Sequence, residues 1–285
     1  MEKKNEKKKS QSKESLGLRF LYNTAVGRVI LKPVASRAVS KIVGGFMDSR
    51  LSKPMIKSFV KKNNINLDDF HAEDFKCFND CFTRKIKDGK RTIDMDPASL
   101  ISPCDALLSA YTIDKDTRLN IKDSIYSMED LLESSELAAK YNGGTCLVFR
   151  LCVTHYHRYI YIDNGTKEDN HFIKGKLHTV RPIAQEAMPI FKRNCREYTV
   201  MHTNGFGDVT QMEVGAMLVG KIKNHHGKGK TVRGEEKGMF LYGGSTIILF
   251  IEKDKVSLDP IYLENTQKEI ETDVLMGQKL GKKAE

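Results

Sequence analysis

The chain has 285 residues, 40% of them apolar and 29% charged, with a formal net charge of +10. Such totals describe a folded globular protein with a sizeable core, and exclude both a disordered chain and a membrane-spanning one. The basic excess selects for acidic partners. There is no tryptophan and no zinc-finger or RNA-recognition signature, so nucleic acid is not expected among those partners and anionic lipid is.

Residues 1–15 (MEKKNEKKKSQSKES) read as a disordered basic arm. No apolar segment follows them as a secretory signal requires, so none is expected. Residues 16–65 read as helical. Leu18, Leu21, Ala25 and Val29 form one apolar stripe, and Val39, Ile42, Val43 and Phe46 form a second. Pro33 is predicted to separate the two, and Gly44-Gly45 to end the second. A third helix is predicted over 53–62, opening on Pro54. Arg19, Arg28, Lys32, Arg37 and Lys41 interrupt the apolar stretch 16–46, which excludes a spanning helix. Two readings of these stripes stay open: an interfacial anchor on anionic lipid, or packing on the protein's own core. The charge excess favours a membrane-associating region.

Residues 68–87 read as a further aromatic-rich helix. From about residue 100 the period changes to two. Strands are predicted at 145–154 and 156–162, with Asp163-Asn164-Gly165 as a hairpin turn, and at 171–180, 197–203, 208–222, 238–242 and 246–252. A helix is predicted over 127–139, capped by Ser127. The fold class is α+β: a helical N-terminal region followed by a mainly antiparallel, β-rich catalytic domain over 66–285. No βαβ alternation, Walker loop or dinucleotide fingerprint is found. Six cysteines are scattered without framework spacing. Cys77 and Cys81 share a helical face, but no second Cys or His pair matches them, so reduced thiols and no metal site are expected.

Gly243-Gly244-Ser245-Thr246 lies between the β-rich runs MFLY and TIILFIE, and by itself predicts a tight hairpin. Glycine before serine also opens backbone conformations closed to other residues. A strained peptide there would bring the Ser245 hydroxyl onto the Gly244 carbonyl carbon.

The segment from Gly234 to Thr246 resembles the self-cleavage region of phosphatidylserine decarboxylase proenzymes. Phe82-Thr83-Arg84 through Asp94, Ser102-Pro103-Cys104-Asp105, Tyr156-His157-Arg158, Leu177-His178-Thr179-Val180 and Gly207-Asp208-Val209 through Gly220 resemble further motifs of that family, in order. The N-terminal helices and Asp48-Ser49-Arg50-Leu51-Ser52 resemble its clostridial-type branch.

The resemblance implies that Ser245 attacks Gly244, cutting the chain between 244 and 245 and becoming a covalent pyruvoyl cofactor. The long chain (1–244) and short chain (245–285) would remain together as a heterodimer, with a homodimer left open. The pyruvoyl group would form a Schiff base with phosphatidylserine and release CO2 to give phosphatidylethanolamine. Asp105 is the expected orienting carboxylate and His157 an acid/base group. Many relatives carry a second histidine where this chain has Ile160, so His155, His178 and His202 are candidates for a second base. The implied location is peripheral, on the cytoplasmic face of the cell membrane. Two rivals remain: the same chemistry on another amine substrate, and a catalytically dead lipid-binding protein in which 243–246 is only a turn.

Overall fold

The computed structural model describes residues 16–114, 118–121, 124–179, 184, 190–216, 222–242 and 245–284. The basic arm 1–15, Val180, Gly220, Gly243 and Gly244 lie outside the described residues.

The N-terminal region is helical, as its stripes predict: α1 (Leu16–Asn23), α2 (Ala25–Val34), α3 (Arg37–Met47), a 3-10 turn (Arg50–Ser52) and α4 (Met55–Lys62). The breaks differ from the expected ones. They fall at Thr24 and Ser36, whose hydroxyls accept from the Gly27 and Val39 amides and so start α2 and α3. Pro33 sits inside the last turn of α2, where only one hydrogen bond is lost. Gly44-Gly45 does not end α3, because Val43 and Met47 are drawn into an aromatic cluster with Phe78 and Phe82. Gly27 lets α2 back onto α1: a Cβ there would lie 2.0 Å from the Phe20 carbonyl oxygen.

Of the expected helix over 68–87 only α5 (Phe78–Phe82) forms, flanked by the paired strands β1 (Phe70–His71) and β2 (Lys85–Ile86). The aromatic residues pack from loops and short elements instead of one helical face. The 127–139 helix is likewise two, α6 (Met128–Leu132) and α7 (Ser135–Lys140), broken at Glu133, whose φ is +52°. Ser127 does cap the first, its hydroxyl accepting from the Asp130 amide. A small hairpin, β5 (Arg118–Ile121) with β6 (Ser124–Ser127), precedes it.

The body is built on one antiparallel sheet. Its long strands are β4 (Ala106–Thr112), β7 (Thr145–Leu151), β11 (Arg196–Thr203), β12 (Gly207–Val214) and β16 (Ser245–Ile251). With β9 (Gly165–Lys167), β14 (Gly229–Thr231) and β18 (Thr272–Val274) the order is β14-β9-β11-β12-β16-β7-β4-β18, and β10 (His171–Ile173) adds to β11. β16 is central and reads as a continuous apolar run because both of its faces are covered. Ile247, Leu249 and Ile251 enter one core with Phe149, Tyr159 and Phe240, while Ile248 and Phe250 enter another with Met212 and Val214. The first face is covered by two three-stranded sheets and by α9 (Pro260–Gln267). One sheet joins β8 (Arg158–Ile160), β13 (Ile222–Asn224) and β15 (Glu236–Phe240); the other joins β3 (Ser99–Ile101), β17 (Val256–Leu258) and β19 (Lys279–Lys283). The second face is covered by α6, α7, α8 (Ile190–Arg193) and the first two N-terminal helices, through Tyr22 and Leu31.

Two expected hairpins are not hairpins. β15 and β16 flank residues 241–244 but belong to different sheets. β15 is bonded on both edges by β13 and β8, and β16 on both edges by β12 and β7, so neither has an edge to offer the other. Asp163-Asn164-Gly165 similarly carries the chain from β8 to β9 in the other sheet. There Gly165 passes so close to β11 that a Cβ would meet the His202 carbonyl oxygen at 2.1 Å.

Candidate active site

Ser245 is the first residue of β16 and pairs with Leu151, the last of β7. It is fully buried, and its hydroxyl has no hydrogen-bond partner among the described residues. An unmet buried hydroxyl costs about 1–3 kcal/mol, so its presence on a central strand calls for an explanation in function. The neighbouring Thr246 hydroxyl, on the opposite face, is in the same condition.

The chain reaches Ser245 past His157. The Phe240 amide donates to the His157 carbonyl at 2.9 Å, and Tyr242 packs on Phe82, whose ring also lies tilted against the His157 imidazole, their centres 3.9 Å apart. His157 is fully buried. Its Nδ1 lies 2.9 Å from the His155 carbonyl oxygen, which only accepts, so Nδ1 carries the proton and Nε2 is the basic atom of the neutral ring.

Two of the sequence motifs meet here and hold one another. Arg84 of Phe82-Thr83-Arg84 donates to the Thr154 carbonyl at 2.9 Å and lies 3.4 Å from that of His155. Arg158 of Tyr156-His157-Arg158 donates back to the Thr83 carbonyl at 2.7 Å and pairs with Glu236. Each arginine thus fixes the other motif's backbone, and the loop that presents His157 is clamped on both sides. Burial lowers the Arg84 pKa, with nearby Cys81 and Asp105 opposing it.

Asp105 stands at the head of β4. Since β4 pairs with β7 and β7 with β16, it starts two strands from Ser245, about 10 Å at the usual strand spacing. Its carboxylate is buried and takes Arg91 in a forked contact, Nη2 to Oδ2 at 2.8 Å and Nε to Oδ1 at 3.3 Å, plus the Met276 amide at 2.8 Å. Among the described residues its hydrogen bonds go to these two groups and not to a histidine.

The other histidines separate clearly. His155 accepts the Cys152 amide on Nδ1 at 3.0 Å, so its neutral ring carries the proton on Nε2, which lies 3.7 Å from Asp273. Burial lowers its pKa, against the pull of Asp273 and Asp105. His178 receives the Tyr22 hydroxyl on Nδ1 at 3.4 Å, while Tyr22 accepts the Thr179 amide; this histidine ties α1 to the body. Burial lowers its pKa too. His202 lies opposite Asp208 in the β11–β12 register, six residues from Val214, which pairs with Thr246. That is about 20 Å from Ser245, at the far end of the sheet. Ile160 is buried and lines a cleft of about 240 Å³ with Lys85, Tyr156, Arg158, Glu236 and Met276. By strand alternation this is the side away from His157.

Two ion pairs near the site join residues distant in sequence: Arg91 with Asp105, and the forked Arg150–Glu271 pair, which joins β7 to the segment after α9. Arg91 stands inside a quoted motif and was legible as a charge; its partner was not.

Comparison with known proteins agrees with this geometry. The family model for phosphatidylserine decarboxylase matches residues 78–282. Phosphatidylserine decarboxylase proenzyme 2 of Clostridium acetobutylicum is 44% identical over 265 residues, covering 93% of this chain and 91% of that one. The phosphatidylserine decarboxylase proenzymes of Clostridium kluyveri and Clostridium tetani are 43% and 41% identical, over 93% and 98% of this chain and 91% and 97% of theirs. The chain belongs to the phosphatidylserine decarboxylase family, a family of lyases.

Proposed function

We propose that this chain is the precursor of a phosphatidylserine decarboxylase that cuts itself between Gly244 and Ser245. The observation that carries the assignment is the buried Ser245 hydroxyl, without a hydrogen-bond partner among the described residues and directly after Gly243-Gly244 in the sequence. His157 Nε2 takes the hydroxyl proton as Oγ attacks the Gly244 carbonyl carbon. The Gly244–Ser245 amide bond breaks as the ester forms, and the proton passes to the freed nitrogen. Loss of the Ser245 α-proton then expels Gly244 as a carboxylate. Water adds and ammonia leaves, so the short chain begins with a pyruvoyl group. That group supplies an electron-withdrawing carbonyl to which the substrate amine binds, stabilising the charge left as CO2 departs.

The residues around Ser245 fit such a group: the serine that would become it is fully buried, so the group is made in place from the chain itself. His157 is oriented by the His155 carbonyl, the part a carboxylate plays in other triads. We assign to the same imidazole the protonation of the product carbon in the second reaction, so that one histidine serves both steps. Asp105 contributes through its charge on His155 and by gripping the Met276 amide of the future short chain. His155 spends Nδ1 on the Cys152 amide and His178 on the Tyr22 hydroxyl, and we assign both to structural roles.

The two chains stay associated as a heterodimer after the cut. β16 is central in the main sheet, β18 and β19 pair with β4 and β3, and Glu271 grips Arg150.

We further assign residues 16–65 to peripheral membrane association and 66–285 to catalysis. Among the described residues no helix is long and apolar enough to cross a membrane. The stripes divide between the two expected behaviours: Leu21 and Val43 pack partly against the body, while Val29, Ile42 and Phe46 are exposed. The residues of the region most fully buried lie off the stripes, at Tyr22, Leu31, Ala35 and Met47, and Phe20, Val26, Ile30, Leu51 and Met55 add to the exposed set. An exposed apolar set on a basic helical layer suits an anionic bilayer carrying phosphatidylserine, on the cytoplasmic face of the membrane.

The deciding experiment is an intact-mass spectrum of the folded protein. It should show two chains, 1–244 and a pyruvoyl-blocked 245–285; a single full-length species would overturn the assignment. Decarboxylation of phosphatidylserine vesicles, set beside free serine, tests the substrate.

A further inference from the structure

The segment entering the scissile position is held by a residue outside every role assigned above. Asn79, buried in α5, accepts the Tyr242 amide on Oδ1 at 3.0 Å and donates from Nδ2 to Asp48 Oδ1 at 2.7 Å. A main-chain N–H only donates and a carboxylate only accepts, so both ends of the Asn79 amide are fixed by their partners. Asp48 is the residue that closes α3 and begins the Asp48–Ser52 motif. A second tie runs beside the first: Ser52, also buried, accepts the Phe78 amide at 2.8 Å. Around these bonds Val43, Met47, Ile56 and Phe59 pack with Phe78, Phe82 and Tyr242 in one cluster. Tyr242 meets Phe78 edge-on at 4.9 Å.

We propose that Asn79 is a positioning residue for self-cleavage, holding the Tyr242 main chain so that the peptide two residues on meets Ser245, and that Asp48 of the helical layer sets Asn79. This rests on the assignment of Gly244–Ser245 as the cleaved bond. The physical need is plain: glycine restricts the backbone less than any other residue type, so a hold upstream of a Gly-Gly pair helps to fix the approach to Ser245. Misplacing a reacting group by about 1 Å costs on the order of 100-fold in rate. The helical layer, already assigned to the membrane, is thereby a structural partner of the maturation step. Once the bond is cut, Tyr242 belongs to the long chain's loose end, and the hold is no longer needed for turnover.

The test uses an exchange of the two side chains in the full-length protein. Asn79→Asp keeps the acceptor for Tyr242 but sets a carboxylate against Asp48. Self-cleavage, followed as the fraction of two-chain product with time, should slow by about 10-fold or more. Asp48→Asn combined with Asn79→Asp restores one donor and one acceptor between the positions, and should recover the rate to within about 3-fold. Decarboxylation per pyruvoyl group should stay within about 2-fold of the wild type in the Asn79→Asp product. The proposal is overturned if Asn79→Asp cleaves at the wild-type rate, or if the exchange gives no recovery. It is equally overturned if turnover per pyruvoyl group falls in step with cleavage, because that is the mark of a general folding defect. Melting of each variant in the Ser245→Ala background supplies the folding control. A wild-type chain that stays whole would sink the cleavage assignment itself, and so is told apart from failure of the Asn79 role.

Discussion

The two ends of the central sheet treat their polar groups in opposite ways. At the far end His202 is about two-fifths exposed and bonded on both ring nitrogens, to Asp208 at 2.6 Å and Glu168 at 3.2 Å, with Lys140 and Lys228 completing the ion pairs. At the near end Ser245 is buried with no hydrogen-bond partner among the described residues, and His157 is packed against Phe82 with Nδ1 committed to a carbonyl. Two carboxylates satisfy both ring nitrogens of the first histidine. The second end carries the cost of desolvation, which suits the nucleophile and base roles proposed for Ser245 and His157.

The contrast predicts graded outcomes. Ser245→Ala should abolish both the cut and decarboxylation, read by intact mass and CO2 release; residual activity would remove Ser245 from the chemistry. His157→Ala should slow the cut by about 100-fold or more, the usual worth of a positioned base, while His202→Ala leaves it unchanged. An unaffected His157→Ala would dissolve the contrast. Replacing the exposed Val29, Ile42 and Leu51 by serine should weaken binding to anionic vesicles by about 10-fold and leave the cut intact. Unchanged binding would return those side chains to ordinary surface.

The smallest effect is on pH-dependent stability. Asp208 and Glu168 raise the His202 pKa above its usual value. Its contribution is therefore fully present below about pH 6.5 and is lost as the pH rises through the raised value. Burial lowers the His155 pKa, so its contribution is present above about pH 6.5 and is lost as the pH falls. Melting of His202→Asn against pH should differ from the wild type mainly on the acid side; a difference confined to alkaline pH would refute the pairing.

How far the sequence could be read differs between neighbouring residues. The strand β16 was evident because TIILFI is apolar on both faces, and the antiparallel β-rich body followed from period-two runs and turn residues. The hairpin at 243–244 was misread for a specific reason. Two β-rich runs around Gly-Gly look alike whether they pair with each other or with strands from elsewhere, and the edges of β15 and β16 were already occupied. Pro33 and Gly44-Gly45 were overrated as breaks because capping hydroxyls and an aromatic cluster lie outside any local window.

For the candidate site, Ser245, His157 and Asp105 stand out as residue types within motifs, since the proposed chemistry needs a hydroxyl, an imidazole and a carboxylate. Their partners were not legible. That Asp105 grips Arg91 and Met276, that the His155 carbonyl sets the His157 proton, and that Asn79 spans from Asp48 to Tyr242 all join residues up to 171 positions apart. Composition, periodicity and motif order are written along the chain, and they determined the class of fold and the family. Which lone pair faces which proton depends on strands and helices meeting across the molecule, and only the tertiary structure decided it.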